Sequence, residues 1–156
     1  MAAGKWKEYD IAGLNKFNGI IDLSSTSDWK MALFLSTSNC DTLTAHEVYG
    51  DLTNEHANAN GYTTGGIALT GVALSRTGNV MKFTCTSPVW TASGGSIVAR
   101  FAVIYKNATV GGKVKPLFVV SLLDTAPADV TATTTNTFTV TIHASGIWNN
   151  TTGNSN

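Results

Sequence analysis

The residues Thr137–Ile142 alternate without exception, with Phe138, Val140 and Ile142 on one side and Thr137, Thr139 and Thr141 on the other. Only a β-strand, whose side chains repeat every two residues, gathers those three apolar groups on one face. The same period recurs in Trp29–Leu35 and again through Met81, Phe83 and Cys85. No segment with a helical period is long enough to form a layer, so a helical layer is not expected. The expected class is all-β.

The other runs extend this reading. Gly19–Leu23 reads as a short strand joined to Trp29–Leu35 by the polar run Ser24–Asp28, a hairpin-length loop. Ile67–Ser75 and Val80–Thr86 flank a turn at Thr77-Gly78-Asn79, and Pro88 marks a strand end or an edge. Ile97–Tyr105 is apolar on both faces apart from Arg100, as a central strand would be, and Leu117–Leu123 is a further apolar strand. Ser36–Thr64 lacks a period of two. A short helix is expected over Thr42–Tyr49, with Thr44 as its cap and Glu47 three residues on, and loop over Asp51–Gly61. Lys106–Lys115 and Thr125–Thr135 read as connections. The sum is about eight short antiparallel strands, each near the mean strand length. Such spacing between glycine-bearing turns indicates a single-domain β-sandwich, jelly-roll-like, with a barrel as the alternative. The sandwich spans 19–148. Residues 1–18 are read as an N-terminal segment that contacts a partner, and 149–156 as a flexible tail.

Composition bounds what such a domain does. Charged residues make up 13% of the chain, about half the usual share, and the formal net charge is zero. A nucleic-acid grip needs clustered Lys and Arg, so none is expected. Thr, Asn, Ser and Gly supply the polar surface. A neutral surface resists association poorly and suits packing against neighbours, although an ordinary neutral domain would look the same. Met1–Asp10 has no apolar run, so no signal peptide is expected, and no run is long enough to span a membrane. Synthesis in a cytosol implies reduced thiols at Cys40, in a polar run, and Cys85, on a core-facing alternation; spacing alone does not exclude their pairing.

Chemistry-bearing residues gather mainly in the irregular region: His46, Glu47, Asp51, Glu55 and His56. They carry ligand atoms, but not the two histidines one helical turn apart around a glutamate that a zinc helix uses. They read equally as solvated loop groups. His143 has no neighbouring Cys or acid. There is no Gly-x-Ser-x-Gly elbow, no basic flank to activate Cys40, and no Lys-Ser/Thr pair after Gly65-Gly66 to make a phosphate loop. No catalytic residue, cofactor or metal is therefore expected. Four tryptophans are available to line a sugar or an interface. Trp29 reads as core, whereas Trp6 and Trp90, with His46, Glu47 and Tyr49 from the long loop, are the expected partner contacts.

Two blocks carry a resemblance. The first is Gly61-Tyr62-Thr63-Thr64-Gly65-Gly66-Ile67-Ala68-Leu69-Thr70-Gly71. The second is Val89-Trp90-Thr91-Ala92 followed by Ala99-Arg100-Phe101-Ala102-Val103-Ile104-Tyr105-Lys106, then Pro116-Leu117. In this order they resemble a family of small tailed-phage virion proteins, similar to capsid cement or decoration proteins with a jelly-roll fold. The match covers roughly Asn15–Trp148, and its motifs are strand and turn residues, a scaffold without an active site. The resemblance implies a non-enzymatic virion component, made in the host cytoplasm and placed on the capsid exterior. Its expected partners are the major capsid protein and copies of itself, with no nucleic acid and no membrane. A tail- or fibre-associated component and a carbohydrate-binding β-sandwich module are the alternatives. Arg100 within an apolar strand needs a carboxylate, from Asp124, Asp22 or a neighbouring subunit.

Overall fold

The computed structural model describes residues 4–123 and 129–151. In chain order it contains β1 (Trp6–Glu8), α1 (Asp10–Phe17), β2 (Trp29–Phe34), a 3-10 turn (Tyr49–Asp51), β3 (Ile67–Ala68), β4 (Ala73–Thr77), β5 (Val80–Thr84), β6 (Val89–Thr91), β7 (Ile97–Ala99), β8 (Phe101–Lys106), β9 (Thr109–Val110), β10 (Lys113–Val114), β11 (Leu117–Leu122), β12 (Val130–Ala132), β13 (Thr137–Thr139) and β14 (Trp148–Thr151). All described strand pairs are antiparallel. The chain is an all-β single domain, as the alternation requires. Jelly-roll wiring is carried by the resemblance alone.

The main sheet has the order β1-β11-β8-β2-β3. At its centre β8 is buried at every residue, between β2 and β11, as the two-faced apolar run demands. A smaller sheet, β14-β5-β4, faces it. Phe83 of β5 meets Trp29 of β2 at 5.1 Å and Phe118 of β11 at 5.7 Å between ring centroids, and this aromatic trio joins the two layers. The pairs β6–β13, β7–β12 and β9–β10 complete the β structure, and the first sets Trp90 against Phe138, with ring centroids 6.4 Å apart.

Eight strands become fourteen because long runs are cut where the chain changes partners. Ile67–Ser75 breaks at Gly71: β3 pairs with β2, while β4 pairs with β5 in the facing sheet. Ile97–Tyr105 breaks at Arg100, whose N–H bonds the Phe34 carbonyl at 2.7 Å and whose carbonyl accepts from Leu123 at 2.9 Å. β7 then pairs with β12 and β8 with β2 and β11. Period-two patterning marks extended chain but not the residue at which extended chain bends into another sheet.

Other expectations are corrected. Gly19–Leu23 is not a strand but turn and bend, although Ile21 and Leu23 are buried. Thr42–Tyr49 is not an α-helix: it turns at residues 43–45, Val48 bridges to Pro116, and Tyr49 opens the 3-10 turn. Asp51 supplies the reason: its Oδ2 accepts the N–H groups of Glu47 and Val48, each at 2.9 Å, so a side chain takes donors that a helix would turn inward. Residues 149–151 belong to β14, paired with β5, so the tail reading fails for them; the rest of it, 152–156, lies outside the described residues. Val130–Ala132, read as connection, is a strand. The N-terminal segment is built into the domain: Trp6 pairs with Ser121, Lys7 with Val120 and Glu8 with Val119.

Candidate functional site

An open apolar groove of about 670 Å³ lies between α1 and the outer half of the β14-β5-β4 sheet. Strand register builds one wall. Leu74 stands opposite Phe83 and Phe83 opposite Trp148, while Arg76, Met81 and Asn150 form the next row. Directly paired residues share a face, so this face is apolar at the Phe83 end and opens outward at Met81. Thr77, Val80, Lys82 and Thr84 belong to the other, largely polar face. Ile21 and Leu23 line the groove from the segment after α1.

The second wall is the helix, and its orientation is unusual. Ala12 and Asn15 are its buried residues, whereas Leu14 and Phe17, one turn apart, face outward at 55% and 91% exposure. The apolar pair thus lies on the side away from the core, the reverse of the arrangement that normally stabilises a surface helix. Asp10 in the first turn and Lys16 in the last complement the helix dipole. The groove has a charged corner. Lys16 Nζ lies 2.7 Å from Glu8 Oε1 and 4.4 Å from the Trp148 ring centroid, and the Trp148 indole donates to Glu8 Oε2 at 3.0 Å. On the rim, the hydroxyl and N–H of Ser24 both donate to Asp22 and hold its carboxyl below the usual range. A concave, mostly apolar surface with few fixed polar groups is the usual form of a binding site.

The expected partner contacts lie elsewhere, on separate elements. Trp90 is not a surface anchor. It is 5% exposed, with Tyr62 on one side and Phe138 on the other, because its place opposite Phe138 turns it inward. Trp6 is half-buried on the sheet edge, and its indole N–H has no hydrogen bond. Glu47 pairs with Lys113 at 2.8 Å, and His46 is half-buried beside it.

Tyr49 belongs to an internal cluster. Its hydroxyl and that of Tyr62 both donate to the Glu55 carboxylate, which also accepts the Gly65 N–H at 2.6 Å. The Tyr62 oxygen accepts the Leu33 N–H at 2.9 Å, and Tyr105 donates to the Gly65 carbonyl at 2.7 Å. Burial raises all three phenol pKa values, so the rings stay neutral donors. The cluster ties the long loop to β2 and to the turn before β3. Gly61 and Gly66, both at positive φ, complete the join: a Cβ on Gly66 would overlap the Met31 carbonyl, and one on Gly61 the Thr91 carbonyl. The Gly-Tyr-Thr-Thr-Gly-Gly block is therefore a structural clasp. With the loop held this way, Ser36–Thr64 has its own packing.

His46, Glu47, Asp51, Glu55 and His56 do not converge, and among the described residues no three His, Cys, Asp or Glu side chains lie close enough to hold a metal ion. His56 is buried, its Nδ1 2.7 Å from the Ala57 carbonyl. Cys40 and Cys85 are buried free thiols, each pushed up to about 12 by burial. Asp22 is exposed and engaged by Ser24, while Asp124 lies outside the described residues. The groove is not legible in the sequence because α1 has only eight residues, too few for a clear helical period, and residues 1–18 read as a partner-contacting segment rather than as a helix packed on a sheet.

No protein-family description, curated protein or solved structure matches this chain.

Proposed function

We propose that this protein is a non-enzymatic assembly protein, a capsid decoration or cement component of a tailed phage that binds the major capsid protein and copies of itself. The observation that carries the docking role is Phe17, 91% exposed on the rim of an apolar groove. Large apolar surface left uncovered by a domain commonly marks an interaction site. The phage assignment rests on the ordered sequence blocks, and the zero net charge fits a surface that packs against neighbours. A jelly roll is the wiring this reading expects.

A carbohydrate-binding module would need an open Trp or Tyr platform. Every tryptophan and tyrosine in the described residues is buried or half-buried, which weighs against it. The test is location on purified particles together with a Phe17→Ser variant. Shell occupancy matching capsomers, lost in the variant without loss of melting temperature, supports the proposal. A few copies at the tail favour the tail component, and glycan binding without particle association favours the module.

A further inference from the structure

We infer that β4 is a self-association edge, through which two copies of this chain pair antiparallel about Ser75 to join their β14-β5-β4 sheets into one. The inference deepens the self-binding part of the proposed function by naming its surface. All five residues of β4 are exposed, and among the described residues the strand pairs only with β5. An open edge is a template for another strand, and proteins that keep one unpaired usually guard it with several charges, a proline or a bulge. Here Arg76 is the one charged residue on β4, and its Nε bonds the Gly78 carbonyl at 2.9 Å.

The hairpin fixes which backbone groups are available. Its loop is Gly78-Asn79, so Thr77 and Val80 form the flanking hydrogen-bonded pair. Hydrogen bonding to β5 then alternates through Ser75 and Ala73, which leaves the N–H and C=O of Leu74 and Arg76 pointing outward. A two-fold axis at Ser75 sets Leu74 opposite Arg76 of the second copy, and these outward groups bond reciprocally. Ser75 then meets its own counterpart, and Ala73 meets Thr77. A register centred on Arg76 would oppose two guanidinium groups and is excluded by repulsion.

Charge favours the Ser75 register. Leu74 is a wall of the groove that also bears Asp10 and Asp22, so pairing brings Arg76 of the second copy toward an acidic rim. The zero net charge offers no long-range barrier to approach. Leu74, 40% exposed, gains cover at the seam. The join takes up the strand side of each groove at Leu74 and leaves Phe17 and the helix side free for shell docking.

The test is sedimentation of the full-length protein over a concentration series, with the variants Leu74→Lys, Leu74→Lys/Arg76→Glu and Ser75→Cys. The wild type is expected to reach twice its 16.4 kDa chain mass. Leu74→Lys places like charges across the seam and should weaken the dimer by about tenfold or more, with an unchanged circular dichroism spectrum. The double variant restores opposite charges and should recover association. Ser75→Cys should cross-link on mild oxidation, since non-hydrogen-bonded antiparallel partners lie within disulfide reach; a Thr91→Cys control should not. A monomer at every concentration overturns the inference. So does a dimer that is indifferent to Leu74→Lys or whose Ser75→Cys form fails to cross-link. Particle binding is read separately: a Ser75-linked dimer that ignores capsids would defeat the capsid assignment and leave this pairing intact.

Discussion

Tyr62 is where the long loop and the main sheet meet, because one hydroxyl both donates to Glu55 and accepts from the buried Leu33 N–H. Tyr62→Phe strands that N–H and should cost about 1–3 kcal/mol, read as a lower midpoint in urea. The thiols behave differently. With pKa values near 12, Cys40 and Cys85 hold almost no thiolate at neutral pH. Ellman's reagent should label neither in the native protein and both after denaturation; fast native labelling would contradict their burial. Asp51 gives the acid response. The N–H groups of Val48 and then Glu47 lower its folded pKa, so its contribution is fully present above the ordinary carboxylate value. That contribution is lost as pH falls through the lower folded value, below about pH 4. Asp51→Asn should flatten the decline of melting temperature over that range.

At the scale of elements, residues on one short helix and one strand should separate stability from binding. Phe83→Ala empties the space shared with Trp29 and Phe118 and should cost about 3–5 kcal/mol. Phe17→Ser should change stability by less than about 0.5 kcal/mol, because the ring touches little of its own domain. Deleting residues 1–9 removes β1 and Tyr9, whose hydroxyl bonds the Cys40 carbonyl at 2.6 Å, so the truncated chain should unfold at a markedly lower temperature. Strand identity was legible wherever alternation was strong: Phe138 and Val140 are buried, Ile142 half-buried, and Thr137 and Thr141 exposed. Thr139 departs from this by being half-buried. Elements set by distant partners were not legible. β1 and β14 have weak patterns of their own and exist because β11 and β5 offer edges to them. Trp90 was misplaced for a related reason, since a neighbouring proline says nothing about the strand across from it.

Across the whole molecule, the core is one continuous cluster running from Tyr9 to Ile147, with no second hydrophobic centre among the described residues. Unfolding is therefore expected to be a single cooperative transition, with far-ultraviolet and near-ultraviolet signals lost together. Both larger sheets join partners far apart in the chain: Trp6 pairs with Ser121 and Met31 with Ile104 in one, and Lys82 with Asn149 in the other. Each pairing demands closure of a long loop before any bond rewards it, so folding should take milliseconds to seconds rather than microseconds. On a ribosome the same wiring has a sharper effect. β5 waits for Trp148 and its neighbours, and β1 waits for β11, so a partly made chain holds its first strand in reserve with its proper neighbour still unsynthesised. Until β8 is made, the hairpin β4–β5 is the most complete sheet fragment available, and a crowded polysome is where premature strand exchange between nascent copies would begin.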